Sequence, residues 1–298
     1  MSDESKTAWM LVSAGAIQIG VRRAGNPVHP ALVLLHGWPH SSALYTTVMD
    51  ALAADRYVLA VDLPAIGTSR GEPPSAEKTT LAGLVLEAVE RCGAHSIVIA
   101  GLDVGGMIAF AAARDHSERI VGAVVANTVI PGVAPWKKII ADPNIWHFAF
   151  HALPRLPETL VHGKEGAYFD YFIDALAGDS SAVSPVLRRA FIEAYARPEA
   201  LRTGFDWYRA MEKDAERNAI PKRIDVPLLY LRGAAGGTDG DEYVSGLRAA
   251  GATNVHGEVI SGGEYSPLEA PAEFVSVLLR FCHSCQTLER SKRAWRSH

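Results

Sequence analysis

The sequence predicts an α/β fold: a mostly parallel sheet flanked by helices, with a helical region inserted into it. Two patterns carry this prediction. Short continuous apolar runs alternate with segments whose apolar residues recur at helical spacing, as in buried strands joined by crossover helices. Across residues 135–222 the helical spacing continues, but continuous β-branched runs disappear. The first pattern favours a parallel sheet, and the second indicates an insertion that covers the strand ends.

The predicted elements follow one another along the chain. Alternating short apolar runs in residues 10–21 suit an opening hairpin. The next strands are expected at residues 31–35, 57–61, 97–100 and 120–126, with helices at 42–54, 81–92 and 107–115. After an insertion of four or so helices, we expect a strand at 227–231, a helix at 242–250, a strand at 255–260 and a helix at 271–282. The predicted domains are a sheet domain (1–134 and 223–283), a cap (135–222) and a basic tail (284–298). Residues 287–298 of this tail are expected to be frayed.

Composition and charge exclude several classes of protein. The 298 residues are 48% hydrophobic with a net charge of −4, which allows a large core and offers no basic patch for nucleic acid. No apolar run approaches the roughly 20 residues of a membrane span, and the first residues lack a secretory signal. Three cysteines make no disulfide framework, so we expect a cytoplasmic protein. The pair Cys282 and Cys285 ends an apolar helix pattern, which favours structural thiols over a metal or redox site.

A glycine-rich turn follows the predicted strand at residues 97–100. It reads Gly101-Leu102-Asp103-Val104-Gly105-Gly106 and leads directly into a helix. A sharp turn from strand to helix strains its central residue, and the neighbours must lack side chains. The turn would present the Asp103 carboxylate at a helix N-terminus, where the helix dipole favours its charged form. Such a carboxylate can attack a saturated carbon and form an ester with the enzyme. The alternative is that Asp103 is only the N-cap of a tight turn.

Two further motifs favour the catalytic interpretation. The segment His36-Gly37-Trp38-Pro39 follows a buried strand, where backbone N–H groups of Trp38 and Val104 could form an oxyanion hole. The loop Asp62-Leu63-Pro64-Ala65-Ile66-Gly67-Thr68-Ser69 follows the next strand. Three such elements in this order make a chance match improbable.

With these motifs the chain resembles the epoxide hydrolase branch of the α/β-hydrolase superfamily, which also includes haloalkane and fluoroacetate dehalogenases. The resemblance runs from the HGWP motif to Pro271 and includes residues 146–150, 204–209 and 262–271. It implies an α/β-hydrolase fold with a helical cap, and Asp103 as the nucleophile. It also implies that Tyr208 is the cap tyrosine whose hydroxyl donates to the epoxide oxygen as the ring opens.

The resemblance also implies contacts from the cap. The second tyrosine of many epoxide hydrolases falls at Phe150, which leaves one hydroxyl donor. His147 falls where fluoroacetate dehalogenases carry a halide-pocket histidine, and it is either a second polar contact or a packed core histidine. Phe148 replaces their halide-binding tryptophan, and Val104 replaces a carboxylate-binding arginine, so fluoroacetate is a poor substrate candidate. We expect His147, Phe148 and Phe150 to bind a small, largely apolar organic substrate.

The chain departs from this family at the residues that activate water. Glu264 stands where the family has its catalytic histidine. The histidine's acid partner is also missing, because residues 234–236 are Ala-Ala-Gly and the other family location holds Asn127. Without the histidine, an ester could form on Asp103 while its hydrolysis stalled.

Three hypotheses follow from this departure. Glu264 could act as the base, with a pKa raised by burial near Asp103. The protein could instead be a non-hydrolytic cyclase, lyase or isomerase acting on a specialised metabolite, or a pseudoenzyme that binds a partner on this scaffold. Nothing in the sequence calls for a metal, nucleotide or other cofactor. A homodimer is compatible with the sequence, which names neither the substrate nor the stereochemistry.

Overall fold

An eight-stranded sheet forms the centre of the computed structural model, which describes residues 7–236 and 240–296, with side chains up to residue 291. The strands are β1 (Ala8–Ala14), β2 (Ile17–Ala24), β3 (Ala31–Leu35), β4 (Tyr57–Val61), β5 (Ile97–Leu102), β6 (Ile120–Ala126), β7 (Leu228–Gly233) and β8 (Val255–Ile260). They are ordered β1-β2-β4-β3-β5-β6-β7-β8. The pairs β1–β2 and β2–β4 are antiparallel and the others are parallel, which confirms the predicted mostly parallel sheet and the opening hairpin.

Helices cover both faces of this sheet. They are α1 (Met49–Ala53), α2 (Lys78–Arg91), α3 (Val104–Asp115), α4 (Trp136–Ile140), α5 (Trp146–Ala152), α6 (Leu156–Val161), α7 (Glu165–Leu176), α8 (Pro185–Tyr195), α9 (Pro198–Arg209), α10 (Met211–Asn218), α11 (Gly240–Ala249), α12 (Ser266–Glu269) and α13 (Pro271–Arg296). Alternate residues of β3 belong to different apolar clusters: Val33 and Leu35 to one, Leu32 and Leu34 to the other. Both faces of the strand are therefore buried, as its continuous apolar run predicts.

The helical insertion (residues 135–222) contains seven α-helices and no strand between β6 and β7. The sequence led us to expect about four. Pro157, Pro185 and Pro198 each occupy the first or second position of a helix, where a missing N–H costs nothing. These prolines begin new, short helices, which accounts for the larger number. The boundary between a sheet domain and a cap stays a prediction.

Two predicted helices differ from the observed helices by more than a few residues. Residues 42–54 do not form one helix, since a 3-10 turn (Ser42–Tyr45) precedes α1. The final helix does not stop at residue 282 but continues to Arg296, so residues 287–296, which were expected to be frayed, are helical. No glycine or proline follows Pro271 to end this helix. Cys285 is buried, and its Sγ lies 2.5 Å from where a Cβ on Gly122 of β6 would stand, so the helix packs on the sheet. Residues 297 and 298 lie outside the described residues.

The three cysteines are free and buried, as expected of structural thiols. Burial raises the pKa of Cys282 and of Cys285 to about 12, which keeps both thiols protonated. In the part of the chain that the structure describes, no helix combines the length and apolar character needed to cross a membrane.

Candidate active site

Asp103 lies on a strained turn at the carboxyl end of β5. Its φ of 52° and ψ of −123° lie in a backbone region that residues other than glycine rarely adopt. Its glycine neighbours allow the backbone to come very close. A Cβ on Gly101 would lie 1.9 Å from the Gly105 carbonyl oxygen, and a Cβ on Gly105 would lie 2.3 Å from the Leu35 carbonyl oxygen. The turn therefore has the geometry that the glycine spacing predicts, with Asp103 directly before helix α3.

Two backbone amides hold the Asp103 carboxylate. The Trp38 N–H donates to Oδ2 at 2.8 Å, and the Val104 N–H also donates to the carboxylate. These are the two N–H groups that the sequence predicts for an oxyanion hole. His36 joins the HGWP loop to the loop that follows β4. Its Nε2 accepts a hydrogen bond from the Leu63 N–H at 3.1 Å. Its Nδ1 must then carry the proton, which it donates to the Gly37 carbonyl at 2.8 Å.

The loop after β4 supports this arrangement and does not enter the site. The Asp62 carboxylate accepts from the Ser42 N–H at 2.9 Å and from the Thr68 N–H at 2.8 Å. Asp62 thereby joins its own loop to the segment that follows the HGWP motif. Asp62 thus helps to hold the HGWP loop, and with it the Trp38 N–H, in place beside Asp103.

A cavity of about 260 Å³ opens above Asp103. It brings together most of the residues that the sequence predicts for the site: Trp38, Asp103, His147, Phe148, Tyr208 and Glu264. Val104 is buried beneath it and contributes only its N–H. Phe150 does not line this cavity. Its ring centroid lies 5.9 Å from that of Trp146 and 6.3 Å from that of Tyr168, so the geometry gives no support to a substrate contact from Phe150.

Asp103 and Glu264 are two carboxyl groups in one cavity, and each has a raised pKa. Burial is the main cause for Asp103 and raises its pKa to about 6, against the opposing effects of the Trp38 and Val104 amides and of Lys78. Burial also raises the pKa of Glu264 well above its usual value, and the negative charge of Asp103 raises it further. The raised pKa favours the neutral, protonated form of Glu264, whereas a pKa of about 6 leaves Asp103 mostly ionised at pH 7.

The main chain around Glu264 is held in place by Asn127. The Asn127 Nδ2 donates to the Gly263 carbonyl at 3.0 Å and to the Glu264 carbonyl at 3.2 Å. Its Oδ1 accepts from the Gly233 N–H at 2.8 Å. Glu264 Oε1 is buried and has no hydrogen-bond partner among the described residues. One carboxyl oxygen is thus left without a protein partner on a side chain that lines the cavity.

Tyr208 reaches the cavity from helix α9. Only 4% of it is exposed, and no hydrogen bond joins its hydroxyl to another described residue. Burial, with the charge of Asp103, raises its pKa well above the usual value, so the hydroxyl remains a donor. Its ring centroid lies 5.3 Å from that of Phe148 and 6.1 Å from that of His147. Burial lowers the pKa of His147 to about 4, so this imidazole is neutral at pH 7.

His151 also lies in this region, although it stands at no motif position and was not predicted for the site. It is fully buried, and its ring centroid lies 4.5 Å from those of both Trp38 and Tyr208. Its Nε2 lies 2.7 Å from the Tyr168 hydroxyl oxygen. Its position four residues after His147 on helix α5 was the available signal, because residues i and i+4 share a helix face.

Arg232 and Tyr243 also line the cavity and were not predicted. The Arg232 guanidinium lies 4.9 Å from the centre of the Tyr243 ring. Its positive charge acts against the raised pKa of Glu264 without cancelling it. Within the described residues, no group of three or more His, Cys, Asp or Glu side chains is arranged to hold a metal ion.

Known proteins of similar sequence share this architecture. The model of the α/β hydrolase fold matches residues 30–156. The chain is 29% identical to a soluble epoxide hydrolase of Corynebacterium sp., over 84% of this chain and 89% of that protein. It is 27% identical to epoxide hydrolase A of Mycobacterium tuberculosis, over 91% and 96% of the two chains. The crystal structure of Cfl2 from Burkholderia cenocepacia superposes with a TM-score of 0.84 and 26% identity, over 92% and 95%.

The chain has the α/β-hydrolase fold. It is similar to proteins of the epoxide hydrolase branch, which confirms the resemblance seen in its motifs.

Proposed function

We propose that this α/β-hydrolase opens epoxides by attack of Asp103 and hydrolyses the resulting ester with Glu264 as the base. The observation that carries the proposal is the fixed orientation of Asp103. Its Oδ2 accepts from the Trp38 N–H at 2.8 Å, while the carboxylate lines the cavity that Tyr208 also reaches. One oxygen held in the anion hole leaves the other to attack carbon.

Ring opening needs a nucleophile and a proton donor. The attack of the Asp103 carboxylate on one epoxide carbon forms a C–O bond and breaks the bond from that carbon to the epoxide oxygen. The Tyr208 hydroxyl donates to this oxygen as its negative charge grows. His147, neutral at pH 7, can give a second polar contact from the cavity wall. The apolar lining, which includes Phe148, Phe172 and Leu176, supports a largely apolar substrate.

Glu264 begins this cycle as an acid. As a neutral carboxylic acid it supplies the proton that ends on the first hydroxyl of the product, and it is left as a carboxylate. Esterification has meanwhile removed the negative charge of Asp103, which after burial was the largest cause of the raised pKa of Glu264. The carboxylate form of Glu264 therefore becomes more favourable just when a base is needed. The acid/base residue of retaining glycosidases changes role in the same way.

Hydrolysis returns both carboxyl groups to their starting states. Glu264 takes a proton from water, and the hydroxide adds to the ester carbonyl carbon of Asp103. The Trp38 and Val104 N–H groups stabilise the resulting oxyanion. The bond from this carbon to the alkyl oxygen then breaks, and the proton of the new Asp103 carboxylic acid passes to the departing alkoxide. The oxygen from water remains on Asp103, and the product is the diol.

Intact-protein mass spectrometry after mixing with a panel of aryl and alkyl epoxides tests this proposal. We expect an adduct on the parent protein and none on Asp103→Asn. Glu264→Gln can neither supply the first proton nor act as the base, so it should form the adduct more slowly than the parent and then retain it. A single turnover in heavy-oxygen water should label Asp103 and not the diol. If neither an adduct nor a diol appears with any epoxide, the proposal is wrong.

A non-hydrolytic enzyme is the second candidate, and the protonated state of Glu264 favours it. Such a site begins as a donor pair, Glu264 and Tyr208, beside one anionic carboxylate. It could rearrange or cyclise an epoxide whose own nucleophile resolves the intermediate. Turnover to a product without oxygen from water would support this candidate over hydrolysis. The open cavity gives no support to a pseudoenzyme with a filled pocket.

A further inference from the structure

Lys78 and Asp214 form an ion pair that is buried between helix α2 and helix α10 of the helical insertion. The Lys78 Nζ lies 2.8 Å from Asp214 Oδ2, and the two side chains are 3% and 4% exposed. The residues are 136 positions apart in the chain. A buried pair of this kind is tolerated when further hydrogen bonds satisfy both charges. We call Lys78 and Asp214 the latch.

The further hydrogen bonds of the latch join two helix ends. The Lys78 backbone N–H, at the start of α2, donates to Asp214 Oδ1 at 2.9 Å. Glu77, directly before α2, makes no side-chain capping bond, so the distant Asp214 does this instead. The Lys78 ammonium also donates to the carbonyl of Trp207 in the last turn of α9. An anion at a helix N-terminus and a cation at a helix C-terminus are each the favourable choice.

The carbonyl held by Lys78 belongs to the peptide bond that joins Trp207 to Tyr208. The latch therefore fixes the backbone at the start of Tyr208 to helix α2. Trp207 is fully buried, so this part of α9 has little room to shift. Tyr208 is the residue whose hydroxyl must face the oxygen of a substrate that lies against Asp103.

We propose that Lys78, held by Asp214, is a positioning residue that sets the Tyr208 hydroxyl over Asp103. This inference rests on the proposed function, because ring opening is the step that needs the position. The charge of Lys78 also extends to the nucleophile, since it favours the anion of Asp103 and opposes the effect of burial on the pKa of that group. Burial lowers the pKa of Lys78, and Asp214, Asp103 and Glu77 act in the opposite direction.

The test replaces both charges of the latch. Lys78→Met with Asp214→Leu leaves no lone charge in the interior and fills similar space. A matched control removes Lys138 and Glu242, whose ion pair of 2.7 Å also joins the insertion to the rest of the protein but is 69% and 38% exposed. Lys138→Gln with Glu242→Gln should change no readout, because exposed pairs contribute little. Lys78→Arg keeps the charge and serves as a second variant if the double replacement does not fold.

The rate of ester formation on Asp103 is the first readout. We expect the latch variant to lose about tenfold to a hundredfold, as small misplacements of catalytic groups do. In a Tyr208→Phe background, at a pH where Asp103 is ionised in every variant, the same replacement should cost less than about twofold further, because the group that it positions is gone. An equal loss in both backgrounds would overturn the proposal and leave the latch a purely structural role.

A second readout does not depend on turnover. Carbon-13 NMR can follow the titration of the Asp103 carboxyl carbon, assigned by its absence in Asp103→Asn. We expect its midpoint to move to higher pH in the latch variant, to stay in the control, and to return most of the way in Lys78→Arg. Backbone amides of residues 208–211 should exchange faster in the latch variant. An unmoved midpoint with unchanged exchange overturns the latch, whereas a parent that forms no ester overturns only the proposed function.

Discussion

Gly37 lies directly against the side chain of Asp103: a Cβ at position 37 would stand 2.4 Å from the Asp103 Cβ and 2.5 Å from its Oδ2. The glycine of the HGWP motif is therefore needed to leave space beside the Asp103 carboxylate. The backbone N–H of the next residue, Trp38, donates a hydrogen bond to the same Oδ2. A side chain here must displace either the carboxylate or the loop that holds it.

We accordingly predict that Gly37→Ala lowers the rate of ester formation on Asp103 by about a hundredfold. The loss follows from misplacement of the carboxylate relative to the anion hole. Stopped reactions analysed by intact-protein mass spectrometry measure it, and circular dichroism checks that the fold is retained. An alanine variant that reacts at the parent rate would show that the Asp103 side chain is not constrained by this contact.

Gly83→Ala is the matched glycine variant, with the opposite expected result. Gly83 lies inside helix α2, and an added Cβ would meet only the His116 ring at 3.5 Å, an ordinary contact. We expect the free energy of unfolding to rise by about 0.5–1 kcal/mol, because alanine is the better helix former. Urea denaturation measures the change, and ester formation should keep the parent rate. A fall in stability would contradict the prediction.

The raised pKa of Asp103 predicts how stability depends on pH. A carboxyl group whose folded-state pKa is about 6, above its ordinary 3.8, favours the folded state while it is protonated. That contribution is present below about pH 4 and is lost as the pH rises through about 6. We therefore expect Asp103→Asn to stabilise the protein by about 2 kcal/mol at pH 8 and by much less at pH 4.

Denaturation curves at both pH values measure this difference. The exposed Asp55, replaced by Asn, serves as the control and should show no such dependence. Equal effects of Asp103→Asn at the two pH values would contradict the raised pKa. The rate of ester formation on the parent should rise through about pH 6 and then level off, because the attacking form is the carboxylate.

Replacing Tyr208 by phenylalanine removes the hydroxyl but keeps the aromatic ring, so it tests the hydroxyl as a proton donor. We expect Tyr208→Phe to slow ester formation by about a hundredfold, because the alkoxide loses its proton donor. Tyr195→Phe is the matched control, since the buried Tyr195 hydroxyl has no hydrogen-bond partner among the described residues. That change should leave the rate unaltered and the stability equal or slightly higher. Similar losses in both variants would remove the argument for Tyr208 as a specific donor.

Replacement of Asn127 by aspartate is expected to lower the stability of the protein. Its amide donates to two carbonyl oxygens, of Gly263 and Glu264, so a carboxylate in its place would face both as an acceptor. We expect Asn127→Asp to destabilise the protein by about 1–3 kcal/mol at pH 8, and by less at pH 4, where a protonated carboxyl can still donate. Denaturation at the two pH values checks the sign. A stabilising effect at pH 8 would contradict the hydrogen-bond assignment.

The sequence predicts best those parts of the site whose residues are neighbours in the chain. The turn at Asp103 needs glycines within two or three positions, and the glycines at 101, 105 and 106 meet that need. The mostly parallel sheet is also predicted, because strands buried on both faces leave continuous apolar runs. In both cases the physical constraint acts over a short stretch of chain.

Contacts between distant residues leave no such pattern. Lys78 and Asp214 read as ordinary charged residues on helix surfaces, and only the packing of α2 against α10 makes them a buried pair. Arg232 and Tyr243 meet because a strand and the following helix converge on the cavity. The substrate contact expected from Phe150 depends on how a helix is rotated. Helix α5 turns His147 and His151 to the interior, while Phe150 does not line the cavity, so its contact stays a prediction without geometric support.

The packing of Trp38 limits the ways in which a substrate can enter the cavity. Its backbone N–H belongs to the anion hole, while its indole lies among six rings of the helical insertion: His151, Tyr168, Phe169, Phe172, Phe205 and Tyr208. Lifting the insertion as one body would bring this indole into water or pull the amide away from Asp103. We therefore expect access to be gated by rotations of individual side chains at the cavity mouth, with the anion hole assembled before the substrate arrives.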